Sequence, residues 1–294
     1  MDLFLSIRKK TVQLTLCLAL ILPTAVFSAK PFIVGNLMGQ LGNQFFIIAA
    51  VTSLALEQNA TPYFPDLRAH GHLFDIDINR EMVFPHINNS HPPVKKIKYH
   101  YREPYYHYKR IKYHKSMQVT GYFQSEKYFI KHKQEIIDLF SPSQEIVNYL
   151  TDKYSDIIDS PNTVAIHVRS YLHEDPTQRV HITYDMAYYE AAMALFPEDA
   201  QFIVFSNRIE KCKKDFSHIK RNIRFIEGEM HVYDFYLMSM CKDHIISNSS
   251  FSWWAAYLNQ NPNKVVVVPP FWFNPSYYAN TKDLIPSDWT ILHY

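Results

Sequence analysis

The chain has 294 residues, of which 47% are hydrophobic and 20% charged, enough apolar residues for a buried core in one large domain or two smaller ones. This composition excludes a disordered or fibrous protein. The 30 Lys and Arg residues against 28 Asp and Glu leave a net charge of +2, so the chain lacks the basic excess of a general nucleic-acid binder. Any anion site must therefore be local.

The first 29 residues have the layout of a secretory targeting segment. Three basic residues at positions 8–10 precede an apolar run at 12–27, and small residues follow at 28–29. The run is close to the shortest that spans a bilayer, so a cleaved signal peptide and an uncleaved signal anchor both remain open. We expect a membrane-associated or exported protein, with residues 11–27 as its membrane attachment if the signal is retained.

A strand–loop–helix unit follows the targeting segment. The sequence predicts a strand at 31–34, a loop with three glycines at 35–43 and an amphipathic helix at 44–57. A glycine loop that opens a helix favours a close approach of backbone to a ligand. We therefore expect four residues to face a cleft from the N-terminal lobe: Gly39, Gly42, Asn43 and Gln44.

The segment 61–116 has poor periodicity and predicts an irregular, surface-lining insertion. Residues 99–114 contain six Tyr, three His and four Lys or Arg. At this net charge the stretch predicts the lining of an acceptor site or a solvated face, rather than a single-strand nucleic-acid site. Further helices are expected at 125–140 and 144–154, before a domain boundary at 160/161.

Asp75 and Asp77 have the spacing of an acidic pair that can hold a divalent metal. A strand with both carboxylates on its solvent face explains the same spacing. We prefer the strand interpretation and expect no metal.

The second half of the chain alternates strands and helices. Strands are predicted at 163–168, 201–206, 223–226, 244–247 and 264–268, and helices at 184–196, 210–216, 231–241 and 251–259. This pattern predicts right-handed crossovers and a parallel sheet with helices on both faces.

Ligands of such sheets bind at the carboxyl ends of the strands, where this sequence places mostly polar residues: His167, Arg169, Ser206, Asn207, Asn248, Ser249, Ser250 and Phe251. A serine-rich turn at a helix start offers backbone N–H groups, hydroxyls and the positive end of the helix dipole to an anion. Arg169 can add charge-assisted hydrogen bonds to phosphate oxygens. Together they predict a diphosphate site, although a serine N-cap, a structural arginine and a core histidine remain open.

Several segments resemble glycosyltransferase family 11, the α-1,2-fucosyltransferases: GQLGNQFF at 39–46, GYFQSEKYF at 121–129, HVR at 167–169, FSN at 205–207 and SNSSFSWW at 247–254. The similarity runs from about Phe32 to Leu292. It implies a GT-B fold of two Rossmann-like lobes, an acceptor-side lobe at 30–160 and a nucleotide-sugar lobe at 161–294, with a cleft between them. It also implies GDP-fucose as donor, a galactose-terminated acceptor, inversion at the fucose anomeric carbon and no metal.

The resemblance implies that Arg169, in the family's His-x-Arg-Arg-Gly-Asp motif, holds the donor's phosphates. The chain then departs from the motif and reads Ser170, Tyr171 and Leu172. The catalytic candidates are Arg169 and His167, the donor-binding candidates are the other strand-end residues, and the base candidates are Asp66, Asp175 and His167. Because of this departure, a weak or inactive relative that binds a nucleotide sugar or a glycan is an alternative. A fucosyltransferase that acts on protein hydroxyls and a nucleic-acid-binding module are two further alternatives.

Overall fold

Two parallel β-sheets divide the chain into two lobes. The computed structural model describes residues 30–68, 73–93, 97–171, 175 and 178–294, so the targeting segment at 1–29 lies outside it and stays a prediction. Within the described residues, no helix has both the length and the apolar character needed to cross a membrane. The last strand of the first sheet ends at Thr120 and the first strand of the second sheet begins at Thr163, so the boundary at 160/161 stays a prediction.

The N-terminal lobe is built on a four-stranded parallel sheet. Its elements are β1 (Phe32–Gly35), α1 (Leu41–Glu57), β2 (Thr61–Tyr63), α2 (Ile76–Ile78), β3 (Tyr99–Arg102), β4 (Met117–Thr120) and α3 (Lys133–Leu139). Helix α4 (Gln144–Ile158) follows them in sequence and packs against the C-terminal lobe. The strand order is β2-β1-β4-β3, and helix α1 packs against β1. All four residues of β1 are buried, as expected for a short apolar strand in a parallel sheet.

The C-terminal lobe contains a six-stranded parallel sheet in the order β10-β9-β8-β5-β6-β7. Its elements are β5 (Thr163–Val168), α5 (Met186–Met193), β6 (Gln201–Ser206), α6 (Ile209–Asp215), β7 (Asn222–Phe225), α7 (His231–Met240), β8 (Asp243–Ile245), α8 (Ser250–Leu258), β9 (Val266–Val268) and β10 (Thr290–Ile291). Val164 and Ile166 of β5 join the core under α5 and α6, whereas Ala165 joins the core under α7 and α8. The prediction of helices on both faces is confirmed.

The segment 61–116 contains two edge strands, so the prediction of an irregular insertion was wrong for β2 and β3. These strands are three and four residues long, and their side chains are half-buried or exposed. Such short strands carry too few apolar residues to show a clear period of two. They form because β1 and β4 pair with them.

Two predicted helices differ from the observed ones. Helix α1 begins at Leu41, so Gly42 and Asn43 belong to its first turn and not to the preceding loop. Glycine is unfavourable in a helix, which is why the sequence pattern placed Gly42 in the loop. The helix expected at 125–140 is two short 3₁₀ turns followed by α3, because the backbone of Phe129 leaves the helical region at φ −140°.

Asp75 and Asp77 lie on a turn and on α2, not on the strand that we predicted. Asp75 has a left-handed backbone with φ +52°. Both carboxylates are exposed, and Asp77 forms an ion pair with Arg80 at 2.7 Å. In the part of the chain that the structure describes, no group of three or more His, Cys, Asp or Glu side chains is arranged to hold a metal ion.

An aromatic cluster joins the two lobes. Trp253 and Trp254 of α8 are fully buried, and their rings lie 4.5 and 5.1 Å from the ring of Phe46 in α1, between centroids. Phe45 of α1 stacks on Phe235 of α7 with centroids 4.9 Å apart. Aromatic pairs add about 0.5–1.5 kcal/mol each beyond the burial of their area. The lobes therefore share one hydrophobic core.

Gly42 lies where the N-terminus of α1 meets the N-terminus of α8. A Cβ atom at this position would be 2.5 Å from the backbone nitrogen of Phe251 and 2.6 Å from Oγ of Ser250. Carbon atoms do not approach their neighbours so closely without a shift of the structure. Glycine, which has no Cβ, is required for this contact between the lobes.

Replacing Gly42 with alanine is expected to push α1 and α8 apart. Urea unfolding of Gly42→Ala should give a free energy of unfolding about 1–3 kcal/mol lower than wild type, the usual cost of overpacking. The near-UV circular dichroism should change as well, because Trp253 and Trp254 lie on α8.

Gly228→Ala is the control, because nothing lies within 4 Å of its added methyl group. Its φ of +75° costs about 1–2 kcal/mol, but the tryptophan signal should stay as in wild type. An unchanged stability and spectrum for Gly42→Ala would contradict the assigned contact.

Candidate functional site

A cleft of about 760 Å³ lies between the two lobes, a volume typical of small-molecule sites. The N-terminal lobe contributes Gly39, Gln40, Gly42, Asn43, Tyr106 and Gln124, and the C-terminal lobe contributes His167, Arg169, Ser206, Asn207, Asn248, Ser249, Ser250 and Phe251. The second group follows the carboxyl ends of β5, β6 and β8, where ligands of parallel sheets bind.

Helix α8 begins at the centre of this cleft. Ser249 is its N-cap residue, with an extended backbone and no side-chain capping hydrogen bond among the described residues. The hydroxyl of Ser250 donates to Oδ1 of Asn43 in α1 at 2.9 Å. The first N–H groups of a helix have no partner within the helix, and they carry the positive end of its dipole. The start of α8 therefore offers several hydrogen-bond donors to an anion.

Arg169 lies on the cleft wall together with Ser249 and Ser250. Its Nη2 donates to Oε1 of Gln40 in the N-terminal lobe at 3.3 Å. This contact fixes the guanidinium between the lobes, where it can bind the same anion as the helix start.

Tyr171 supports the guanidinium of Arg169 from the segment that departs from the family motif. The guanidinium carbon lies 5.6 Å from the centroid of the Tyr171 ring, within the range of a cation–π contact. The ring stacks on His181 at 4.5 Å between centroids, and its hydroxyl donates to the backbone carbonyl of Asn248 at 2.9 Å. Burial raises the pKa of Tyr171 to about 12, so its hydroxyl remains a donor at neutral pH.

His167 is a buried residue whose ring is only 5% exposed. Its Nδ1 is hydrogen-bonded to Oγ of Ser247 at 2.9 Å and to Oγ of Ser252 at 3.0 Å. Burial and the charge of Arg169 lower the pKa of His167 to about 3. A histidine in this environment is neutral at pH 7 and is a weak base, so its surroundings suit it better to positioning the start of α8 than to accepting a proton.

Ser206 and Asn207 hold the backbone at the end of β6. The side-chain amide of Asn207 accepts from the N–H of Ser170 and donates to its carbonyl, each at 3.0 Å. Oγ of Ser206 accepts from the N–H of Arg208 at 3.0 Å. Both residues line the cleft, but their polar atoms mainly fix the backbone beside Arg169.

Asn248 and Phe251 flank the serines at the start of α8. The Asn248 amide nitrogen donates to the carbonyl of Trp272 at 2.9 Å, and its Oδ1 is buried with no hydrogen-bond partner among the described residues. The ring of Phe251 lies 5.6 Å from that of His167, between centroids. Asn248 therefore has one acceptor free beside the cleft, and Phe251 provides an apolar wall.

Asn43 and Gln44 have different positions, although we expected both at the cleft. Oδ1 of Asn43 accepts from Gln124 at 2.8 Å as well as from Ser250. Gln44 is fully buried behind the cleft wall, where its Nε2 donates to the carbonyl of Gly39 and its Oε1 accepts from Asn79. Because α1 begins three residues earlier than predicted, Gln44 lies on the helix face that points inward. Gly39 lines the cleft with φ +69°, which favours glycine.

The two aspartates proposed as bases are separated. Oδ2 of Asp66 accepts from the N–H of Leu37 at 2.8 Å, and Asp66 is not among the residues that line the cleft. Its carboxylate therefore caps the loop after β1, and its role as a base stays a prediction. Asp175 does line the cleft, and its Oδ2 accepts from Nε2 of Gln178 at 2.8 Å.

Asp234 is a functional candidate that the sequence reasoning missed. It lies in the first turn of α7 and lines the cleft, and its Oδ1 is buried with no hydrogen-bond partner among the described residues. Burial, with the charge of Glu229 added, raises the pKa of Asp234 to about 7. Perturbed carboxyl groups of this kind cluster at functional sites. Ligands of parallel sheets bind at the carboxyl ends of the strands, so inspection of the helix that follows β7 could have found Asp234.

Three aromatic rings form one side of the cleft mouth. The hydroxyls of Tyr106 and Tyr277 are 3.1 Å apart, and the Tyr106 ring lies 5.2 Å from that of Phe273, between centroids. Tyr106 belongs to the Tyr-rich stretch at 99–114, so that stretch lines the cleft in part. These rings offer a surface for the apolar face of a sugar.

Two parallel α/β lobes with a cleft between them form a fold of the GT-B type, as predicted. The sequence model of glycosyl transferase family 11 matches residues 12–293. The chain belongs to glycosyltransferase family 11, and its general function is sugar transfer.

The chain is similar to two relatives and to one solved structure. The alpha-1,2-colitosyltransferase of Escherichia coli is 31% identical over 286 residues, which cover 87% of this chain and 97% of that protein. The galactoside alpha-(1,2)-fucosyltransferase 1 of Sus scrofa is 26% identical over 241 residues, covering 75% of this chain and 63% of that protein. A variant of Arabidopsis thaliana FUT1 in complex with GDP superposes with a TM-score of 0.49 at 14% identity, covering 83% of this chain and 71% of that one.

Proposed function

We propose that the protein is an inverting α-1,2-fucosyltransferase that transfers L-fucose from GDP-fucose to the 2-hydroxyl of a terminal galactose. The observation that carries the proposal is the placement of Arg169 beside the open N-terminus of α8, in a cleft shared by two lobes. Family membership and the activities of the two relatives support the choice of sugar and linkage.

The chemistry is a single in-line displacement. The 2-oxygen of galactose forms a bond to C1 of fucose as the bond from C1 to the β-phosphate oxygen breaks, and the electron pair leaves with GDP. Arg169 and the N–H groups at the start of α8 stabilise the negative charge that develops on the diphosphate. In this proposal these groups supply the electrostatic stabilisation for which other transferases use a metal ion.

The hydroxyl proton of the acceptor must pass to a base. Of the three candidates from the sequence, Asp175 is the one that suits this step, because it lines the cleft and carries a carboxylate. Asp66 caps a loop, and His167 is too weakly basic.

The acceptor galactose is proposed to lie against the aromatic rings at the cleft mouth. Tyr106, Phe273 and Tyr277 come from both lobes and line the same cleft as Arg169. A sugar on this surface would present a hydroxyl towards the donor.

The second candidate donor is the nucleotide of L-colitose, which is fucose without its 3-hydroxyl. It is favoured by the identity to the Escherichia coli colitosyltransferase over nearly that protein's whole length. The same diphosphate site would serve either sugar. A competition between the two donors therefore decides between them.

The function is tested by incubating the purified chain with GDP-fucose, GDP-colitose and a panel of β-galactosides. We expect transfer of fucose to O2 of galactose, with the linkage read by NMR and with the same rate in EDTA. Preferential transfer of colitose would establish the second candidate. Binding of GDP with neither transfer nor donor hydrolysis would instead establish an inactive relative, which the altered segment after Arg169 leaves open.

Arg169→Ala is expected to lower kcat about a hundredfold or more, because one preorganised donor to a developing charge is worth about 3–4 kcal/mol. Steady-state kinetics with GDP-fucose measure the loss. Arg224→Ala is the matched control, since Arg224 pairs with Asp156 and does not line the cleft. A near-normal kcat for Arg169→Ala would show that another group stabilises the negative charge on the departing diphosphate.

Asp234 is proposed to accept hydrogen bonds from the nucleoside part of GDP. Its carboxyl is half-protonated near pH 7 in the free protein, and only the ionised form accepts bonds with both oxygens. The affinity for GDP should therefore fall by about tenfold from pH 8 to pH 6. Titration calorimetry at both pH values measures this change.

Asp234→Asn should lose this pH dependence, because its amide does not titrate. The terminal phosphate of GDP titrates equally with both proteins, so the difference between them isolates Asp234. Identical pH profiles for wild type and variant would remove Asp234 from the nucleotide site.

A further inference from the structure

A second cavity of about 520 Å³ lies outside the cleft, on the N-terminal lobe. Its apolar part is formed by Ala50 and Leu54 of α1 and by Ile111. The rest of the wall comes from the Tyr-rich stretch at 99–114 and from the 3₁₀ turns at 126–132. None of the candidate residues discussed above lines this cavity.

The second cavity is cationic. Four basic side chains line it, Arg110, Lys112, Lys127 and Lys131, against one carboxylate, Glu57, which leaves +3 at the wall. The whole chain has a net charge of only +2, so this concentration of charge is local. A concave wall of one sign raises the local concentration of an anionic ligand.

The four basic residues differ in their partners. Lys131 is 3.2 Å from Glu57, and Lys127 is 2.5 Å from Asp283. Arg110 and Lys112 form no ion pair with any described residue. Both are exposed at the cavity and can therefore bind an anion without giving up an internal partner.

Three tyrosine rings complete the wall of the second cavity. Tyr108 and Tyr128 pack edge to face with centroids 4.9 Å apart, and Tyr113 lines the same space. Aromatic rings beside charged donors suit a ligand that has both an apolar ring face and an anionic group.

The second cavity is connected to the cleft by a short stretch of chain. Tyr106 lines the cleft, and Tyr108, two residues later, lines the second cavity. The N–H of Tyr108 donates to Oδ2 of Asp283 at 3.0 Å, which fixes this stretch against the C-terminal lobe. Tyr106 and Arg110 are four positions apart in the sequence, a span of at most about 14 Å. A ligand of a few sugar units can reach from one cavity to the other.

We propose that the second cavity binds a phosphate or carboxylate group of the acceptor glycan, remote from the galactose that receives the sugar. This inference rests on the proposed function and deepens it, because it makes the natural acceptor an anionic glycan. Arg110 and Lys112 bind the anion, and the tyrosines contact the sugar units that precede it.

The test uses two synthetic β-galactosides of equal length, whose aglycones end either in a phosphate monoester or in a hydroxyl. The phosphate acceptor should have a KM at least about tenfold lower than the neutral acceptor. Arg110→Ala/Lys112→Ala should remove that advantage and leave kcat and the KM of the neutral acceptor unchanged. Both residues are exposed, so thermal unfolding of the variant should match wild type.

Lys214→Ala/Lys220→Ala is the matched control, because it removes two exposed positive charges from the C-terminal lobe. Equal KM values for the two acceptors in wild type would overturn the inference, and so would an equal loss in the control variant.

A binding measurement separates this inference from the proposed function. Calorimetric titration of the phosphate acceptor into wild type and Arg110→Ala/Lys112→Ala, each saturated with GDP, should show binding that the variant loses. Binding without any fucose transfer would overturn the proposed function and keep the anion site. Transfer to the neutral acceptor, with no binding difference between the proteins, would overturn only the anion site.

Discussion

The contact of Gly42 with the first turn of α8 determines the geometry of the cleft. It brings the N-termini of two helices from different lobes to one place, and the Ser250–Asn43 hydrogen bond joins them. Both helix starts carry unpaired N–H groups and positive dipole ends. The start of α8 thus offers hydrogen-bond donors to an anion although the chain is nearly neutral, and Arg169 adds a full positive charge beside it.

The aromatic cluster behind the cleft gives this contact its rigidity. The rings of Phe45 and Phe46 pack on Trp253, Trp254 and Phe235, so the two lobes have a common core. Preorganised donors stabilise a developing charge best when they need not reorganise during the reaction. A shared core and a helix contact that tolerates only glycine are the features expected of such a site. They also link stability to function, because one methyl group at Gly42 acts on both.

The sequence predicts the C-terminal lobe better than the N-terminal one for a physical reason. Strands β5 and β6 are mostly apolar and buried, so the sequence predicts where they lie and where they end. Because ligands of parallel sheets bind at the carboxyl ends of the strands, this prediction locates Arg169 and the serines of α8. In contrast, β2 and β3 are too short to show a clear apolar pattern, and they form because they pair with β1 and β4. The burial of Gln44 and the start of α1 are likewise not visible in the local sequence, and the first turn of α1 contacts a helix more than 200 residues away. The same rule about strand ends covers Asp234 on the helix after β7, but its burial, which marks it as a candidate, is a property of the folded chain.

The segment after Arg169 shows how the chain can depart from the family motif and retain the arginine's position. Asn207 holds the backbone of Ser170 with two hydrogen bonds, and Tyr171 places its ring under the guanidinium. Tyr171 is itself fixed by His181 and by the carbonyl of Asn248, the residue that precedes the serines of α8. The support for Arg169 is therefore tied to the helix start that lines the same cleft.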